Sequence, residues 1–94
     1  MGLTFKWDEV KAKENLGKHR ISFEEAKTVF DDPFLMTFLD PEHSNSEQRY
    51  LNIGVSSKGL VLVVVHAERG DSIRIISCRK ATASERRVYE QENS

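Results

Sequence analysis

The sequence predicts an α+β fold in which an antiparallel sheet of four to five strands packs against two N-terminal helices and one C-terminal helix. Capping boxes at Ser22/Glu25 and Thr82/Glu85 predict two helix starts. Between them, apolar residues recur with a period of two, as in strands. The predicted order is β-α-α-β-β-β-β-α, which favours a meander with helices packed on it. The 94 residues fit one domain covering 1–94.

The N-terminal elements are predicted from alternation and capping. Residues 4–7 alternate as a short strand, and Asp8 is typical of an N-cap for a helix through about His19. We expect the apolar side of this helix to comprise Val10, Ala12 and Leu16. The second helix has Ile21 and Ala26 at the staple positions and is expected to stop at residues 31–33. Its predicted inner face consists of Phe23, Ala26, Val29 and Phe30.

Four further strands are predicted from residue 34 onward. The first covers 34–39 and is followed by a polar loop at 40–46. In the second, Arg49 shares a face with Leu51, Ile53 and Val55. Residues 60–66 are apolar on both faces, which is typical of a central strand. In the last strand we expect Arg79 on the face of Ile73 and Ile75, before a C-terminal helix through Tyr89.

Composition limits the class of protein. Hydrophobic residues at 38% and charged residues at 31% are typical of a globular protein. No apolar run is long enough to span a bilayer, no signal-peptide pattern is visible, and the single cysteine, Cys78, fits a reducing compartment, so we expect a cytoplasmic protein without a membrane partner. Residues 1–48 carry a net charge of −4 and residues 49–94 one of +3.

No metal or cofactor motif is visible in the sequence. The three histidines, at 19, 43 and 66, lack the spacing of a metal site, and there is no glycine-rich phosphate loop or GxSxG motif. A metal-dependent nuclease would need a carboxylate cluster, which Asp31, Asp32 and Asp40 do not clearly supply. We therefore expect no cofactor and no metal site.

The remaining candidates for chemistry are basic and polar. Lys11, Asn15 and Lys18 fall on one face of the first helix, with His19 at its end, although cations there also stabilise the helix dipole. Because burying an unpaired charge is costly, Arg49 needs either an acidic partner, such as Glu47 or Glu25, or a cleft open to solvent. Arg79 likewise needs either an acidic partner or an open cleft. A metal-free ribonuclease needs a base, cations on the phosphate and an acid, and these residue types can provide them.

The order of these residues resembles the BrnT family along nearly the whole chain. The opening matches at Phe5, Trp7, Asp8, Lys11, Ala12, Asn15, Lys18, His19, Ile21, Phe23, Glu25 and Ala26. The middle matches at His43, Ser44, Glu47, Arg49, Ile53, Gly54, Ser56 and Gly59. The close matches at Ile73, Arg74, Ile75, Ile76, Ser77, Arg79, Ala81, Glu85 and Tyr89. Two positions depart from the pattern: Arg20 replaces an expected glycine, and Cys78 stands where alanine is common.

The resemblance implies a RelE-like fold and a bacterial ribonuclease toxin that inhibits translation. It also implies neutralisation by a cognate, BrnA-like DNA-binding antitoxin, with operator DNA bound only through the toxin–antitoxin complex. In this chain Arg49 and Arg79 would hold phosphate charge, Lys18 or His19 would transfer protons, and Glu47 would act as a base or orient Arg49. The residues expected to bind the RNA substrate are Lys11, Asn15, Arg74, Arg86 and Tyr89.

Two alternatives remain open from the sequence. Trp7, Phe23, Phe30 and Tyr89 could stack on bases, but their spacing favours core packing for all except Tyr89. The basic surface could also bind a protein or a nucleic acid without cutting it, which would make the chain a non-catalytic module of the same fold.

Overall fold

A computed structural model describes residues 3–40 and 47–92 of the chain. In this part, one five-stranded sheet has the order β1-β5-β4-β3-β2 and carries three α-helices, which confirms the predicted fold class. None of the described helices is both long and apolar enough to cross a membrane. The elements are β1 (Thr4–Lys6), α1 (Glu9–His19), α2 (Phe23–Lys27) with a following 3-10 turn (Thr28–Asp31), β2 (Met36–Asp40), β3 (Arg49–Val55), β4 (Val61–Arg69), β5 (Ser72–Lys80) and α3 (Ala83–Glu92).

Strands β2 to β5 form the predicted antiparallel meander, whereas β1 pairs with β5 in parallel. Phe5 lies opposite Ile73 in this parallel pair. A parallel pair needs a long crossover between its strands. The helices and the rest of the meander provide it, so β1 becomes the outer neighbour of the last strand.

Helix α1 starts where the sequence predicts but buries a different side. The Asp8 side chain caps it by accepting from the backbone N–H groups of Val10 and Lys11. Val10 is 66% exposed and Leu16 48% exposed, so the predicted apolar side is wrong at these two positions. The buried residue is Asn15, which anchors the helix to β5 by accepting from the Cys78 backbone N–H at 3.1 Å. A polar anchor therefore occupies the inner position of this helix.

The sheet buries a separate apolar cluster on each side. On one side, here called the α2 face, Leu62, Val64 and Ile75 of the sheet pack with Ile21 and Phe23. The other side, the α3 face, is covered by α3, and its core consists of Ile53, Val63 and Tyr89. The two clusters show that β4, the central strand, is apolar on both faces, as predicted from residues 60–66.

A β-bulge in β5 reverses the expected orientation of its C-terminal half. Ser77 lies opposite Val65, but Ile75 already lies opposite His66, so Ile76 is the extra residue. Ile73 and Ile75 belong to the α2-face core, whereas Arg79 lies opposite Val63 of the α3 face. The prediction that Arg79 shares a face with Ile73 and Ile75 is wrong, because the bulge shifts the alternation by one residue.

Candidate functional site

Three arginines surround one glutamate at the end of the α3 face. Arg49 lies opposite Ala67, and Ala67 lies opposite Arg74, so both arginines extend from this face. Glu47 Oε1 accepts from Arg74 Nη2 and lies 4.0 Å from Arg49 Nε. Arg69 Nη2 lies 3.6 Å from the other carboxylate oxygen. We call Arg49, Arg69, Arg74 and Glu47 the arginine cluster.

The arginine cluster keeps an excess of positive charge beside Glu47. One carboxylate faces three guanidinium groups, and its side chain is only 20% exposed. Arg69 is the most exposed of the three cations, at 77%. Each guanidinium has five N–H donors in a planar fork, which suits phosphate oxygens. The cluster can therefore hold an anion while Glu47 keeps the guanidinium groups oriented.

Arg79 lies on the same face but is held by α3. Its guanidinium donates to both Glu85 oxygens, at 2.7 and 2.9 Å, in a bidentate pair. Glu85 also accepts from the Thr82 backbone N–H at 2.8 Å, which confirms the predicted capping box. Hydrogen bonding to Glu85 raises the pKa of Arg79, although burial opposes it. Arg79 therefore joins the start of α3 to the sheet.

The candidate residues of α1 line a cleft of about 300 Å³. Its lining includes Lys11, Asn15, Lys18 and His19, so the structure brings the predicted helix residues together. Lys11 and Lys18 are exposed and His19 is half-buried. Asn15 is different, because its amide donates to the Ile21 carbonyl at 3.1 Å and its oxygen holds β5. These contacts favour an anchoring role for Asn15.

Ser77 connects this cleft with the arginine face. It is half-buried, lines the cleft beside Lys18 and His19, and lies on β5 between Arg74 and Arg79. Ser77 is not among the site residues predicted from the sequence. The available signal was a hydroxyl residue in an otherwise apolar stretch of strand, two positions before Arg79.

The two predicted substrate residues of α3 differ in exposure. Arg86 is exposed. Tyr89 is only 9% exposed, belongs to the α3-face core, and donates its hydroxyl to Asp32 Oδ2. The expectation that Tyr89 lies on an exposed helix surface is wrong, because its ring faces the sheet.

A buried histidine on the α2 face, His66, is also absent from the predicted site residues. His66 is 1% exposed, with Nδ1 2.7 Å from Asn52 Nδ2 and Nε2 3.0 Å from Glu68 Oε2. Because Asn52 Nδ2 can only donate, His66 Nδ1 accepts and Nε2 carries the proton. Both ring nitrogens thus have partners, and the Tyr50 ring stacks on the imidazole with centroids 5.1 Å apart. This network lies on the opposite side of the sheet from the arginine cluster.

Metal-ligating side chains do not converge in the described ranges 3–40 and 47–92, where no three His, Cys, Asp or Glu residues form a group suited to a metal ion. His43, which belongs to the family pattern, lies outside these ranges. Asp32 accepts from Tyr89 and from the Val55 and Phe34 backbone N–H groups, which is a structural use of its carboxylate.

Comparison with known proteins identifies two similarities. A family model described as the ribonuclease toxin BrnT of type II toxin–antitoxin systems matches residues 7–85. The crystal structure of the Brucella abortus ribonuclease toxin BrnT superposes on this chain with a TM-score of 0.67 and 22% sequence identity. That match covers 85% of this chain and 97% of the Brucella chain. The search among curated proteins found no significant match.

Proposed function

Because this chain belongs to the BrnT family of ribonuclease toxins of type II toxin–antitoxin systems, we propose that it cuts RNA on the α3 face without a metal ion and thereby inhibits translation. The observation that supports this most is the alignment of Arg49, Arg74 and Arg79 on one face. Arg49 and Arg74 share this face through their common neighbour Ala67, and the bulge at Ile76 brings Arg79 onto it. A row of guanidinium groups is suited to the charge that develops on a phosphodiester during cleavage.

The proposed reaction is transesterification within the RNA strand. The ribose 2′-oxygen loses its proton and attacks phosphorus, while the bond to the 5′-oxygen breaks and that oxygen takes up a proton. The products are a 2′,3′-cyclic phosphate and a 5′-hydroxyl, and water can open the ring to a 3′-phosphate. Arg49 and Arg74 stabilise the phosphate charge, and Lys18 or His19 moves the protons from the neighbouring cleft.

Glu47 and Arg79 act as positioning residues in this proposal. Glu47 contacts three guanidinium groups, which favours orientation of Arg49 and Arg74 over proton transfer. Arg79 already uses both guanidinium ends on Glu85, so its charge reaches RNA only alongside that carboxylate. Lys11 and Arg86 are exposed cations that would contact the RNA backbone further from the cut.

Antitoxin binding and DNA binding complete the proposal. Membership of a type II system implies an antitoxin partner. We infer that a BrnA-like antitoxin with its own DNA-binding segment neutralises the toxin, and that operator DNA is bound through the complex.

The deciding experiment incubates the purified, antitoxin-free protein with RNA in EDTA and maps the product ends. We expect cleavage with 2′,3′-cyclic or 3′-phosphate ends. Arg49→Ala and Arg74→Ala should each lower the rate about a hundredfold, equivalent to roughly 3 kcal/mol, because each removes a charge contact in the transition state. Arg87→Ala removes an exposed arginine outside the candidate set and is the matched control.

The controls separate catalysis from folding and from simple binding. Circular dichroism must show that both arginine variants remain folded. Loss of cleavage in EDTA with recovery in magnesium would overturn metal independence. RNA binding without cleavage, unaffected by either arginine variant, would instead identify a non-catalytic module.

A further inference from the structure

Phe38 is an exposed aromatic residue on the α3 face, the same side of the sheet as the arginine cluster. It is 45% exposed. In the strand register Phe38 lies opposite Leu51, and Leu51 lies opposite Val65. Leu51 packs against the α3-face core, so all three side chains extend from that face. We call Phe38, Leu51 and Val65 the apolar row.

The apolar row stays accessible because α3 covers a neighbouring part of the sheet. Tyr89 of α3 packs on Ile53 and Val63, which lie opposite each other in the next row. Leu51 and Val65, by contrast, are only half-buried. The apolar row crosses three strands and is therefore about 10 Å wide at the usual strand spacing. It presents an apolar surface wide enough for one nucleobase.

The arginine cluster borders the apolar row on the side away from α3. Arg49 precedes Leu51 by two positions on β3, so it lies diagonally across from Phe38. Cβ atoms of such diagonal neighbours are about 7 Å apart, which is within reach of long and aromatic side chains. A nucleotide whose phosphate contacts Arg49 can therefore place its base on Phe38.

The charge beside the apolar row indicates the kind of ligand that fits. Asp40 lies opposite Arg49 and offsets part of the charge of the arginine cluster. Together, Asp40 and the arginine cluster hold three arginines and two carboxylates, which leaves one positive charge. One phosphodiester carries one negative charge, and guanidinium groups suit its oxygens. A purely apolar partner would leave this positive charge without a counterpart.

The other end of the apolar row reaches the cleft that holds the proposed proton-transfer residues. Val65 lies opposite Ser77, and Ser77 lines that cleft together with Lys18 and His19. A base on the apolar row would thus lie between the phosphate site and the cleft. This is where a nucleotide beside the scissile bond has to sit.

We propose that the apolar row binds one unpaired base of the RNA substrate, which stacks on Phe38 and packs on Leu51 and Val65 while Arg49 holds its phosphate. This inference rests on the proposed function for the identity of the ligand. None of the three side chains of the row has a hydrogen-bonding group, so the base is bound by its ring face. Stacking accepts every base and varies with stacking strength. We therefore expect single-stranded RNA to bind, with purines a few-fold better than pyrimidines.

The test measures binding of the free protein to 2′-O-methyl oligoadenylate by fluorescence anisotropy. This probe cannot be cut by the proposed reaction, because it lacks the attacking hydroxyl. Phe38→Ala should weaken its binding about tenfold, as expected for the loss of one stacked base. Phe38→Trp should keep parent-like affinity. Phe38→Leu, which stays apolar but loses the aromatic ring, should weaken binding nearly as much as Phe38→Ala.

A second probe, the same backbone without bases, separates stacking from an indirect effect on the fold. Phe38→Ala should leave binding of this base-free probe unchanged, whereas Arg49→Ala should weaken binding of both probes. Phe34→Ala is the matched control, because Phe34 is 56% exposed but lies before β2. It should change neither affinity. Circular dichroism checks that each variant is folded, and Phe38→Leu decides the result if Phe38→Ala is not.

Several outcomes would overturn the proposal. They are parent-like binding of oligoadenylate by Phe38→Ala or Phe38→Leu, equal losses for the probes with and without bases, and no binding of oligoadenylate by the parent. Weaker binding of the cognate antitoxin by Phe38→Ala, with RNA binding unchanged, would assign the apolar row to the antitoxin instead.

Cleavage of unmodified RNA is assayed separately, so the two proposals can fail independently. Binding that depends on Phe38 without any cleavage would refute the ribonuclease activity and leave the base site in place. Cleavage together with binding that does not depend on Phe38 would refute the base site alone.

Discussion

At the residue scale, the conformation of Arg20 gives a physical reason to expect glycine at this position. It ends α1 in the left-handed region, with φ 62° and ψ 28°. Its backbone N–H donates to the Leu16 carbonyl at 2.9 Å, which closes the last turn. A residue with a Cβ atom pays a steric cost in this conformation that glycine does not.

Replacing Arg20 with glycine should therefore stabilise the protein. We expect the free energy of unfolding of Arg20→Gly to rise by about 1 kcal/mol, measured by urea denaturation. Lys13→Gly is the matched control, because Lys13 lies in the helix interior and glycine should cost roughly 1 kcal/mol there. If both variants lose stability equally, the left-handed conformation of Arg20 carries no cost.

At the scale of elements, α3 is attached to the sheet through a charged contact. The hydrogen bond from Arg79 lowers the pKa of Glu85 to about 2 from an ordinary 4.5, with burial opposing it and the Thr82 N–H adding to it. The folded-state pKa thus lies below the unfolded one. The contribution of the Arg79–Glu85 pair to the free energy of unfolding is fully present above about pH 4.5 and is lost as the pH falls toward 2.

This linkage predicts the behaviour of Glu85→Gln. At pH 7 the variant should be about 1 kcal/mol less stable than the parent, because the pair is partly exposed and screened by solvent. The difference should shrink as the pH falls from 4.5 to 2, where the parent also loses its charge. Unfolding of the parent and the variant, monitored by circular dichroism at pH 7 and at several pH values between 4.5 and 2, measures this difference in stability. A constant difference across that range would show that Glu85 does not titrate with folding.

The elements themselves were largely predictable, and the reasons for the exceptions are physical. Capping residues act within a few positions of each other, so Asp8, Ser22 and Thr82 identified their helices. The burial of Asn15 depends on a hydrogen bond to Cys78, 63 positions away, which local periodicity cannot reveal. The bulge at Ile76 likewise depends on the pairing of β5 with β4. Arg49 and Arg74 meet at Glu47 only because three separate segments converge.

At the scale of the whole molecule, one hydrogen bond joins the segment after α2 to α3. Tyr89 Oη donates to Asp32, which also accepts from the Val55 backbone N–H at 2.9 Å. Burial raises the pKa of Asp32, but these hydrogen bonds outweigh it and lower the pKa below its ordinary value. Burial and the bond to Asp32 raise the pKa of Tyr89 to about 12. Asp32 thus connects residues that lie far apart in the chain.

Removing the Tyr89 hydroxyl should loosen this connection. We expect Tyr89→Phe to lower the free energy of unfolding by about 2 kcal/mol, the typical worth of a hydrogen bond to a charged group. Tyr50→Phe removes a hydroxyl that donates to Gln48 at an exposed position and should cost much less. Urea denaturation at pH 7 compares the two. Equal losses would mean that the bond to Asp32 adds nothing to stability.

The bulge at Ile76 also fixes a length along the sheet. Arg74 and Arg79 are five positions apart on β5 and extend from the same face, so their Cα atoms are separated by roughly 15 Å at the usual rise of a strand. Phosphates of a stacked nucleic-acid strand follow each other every ~3.4 Å along the axis. A stacked RNA strand that runs along β5 and spans the distance between these two Cα positions would extend over several nucleotides.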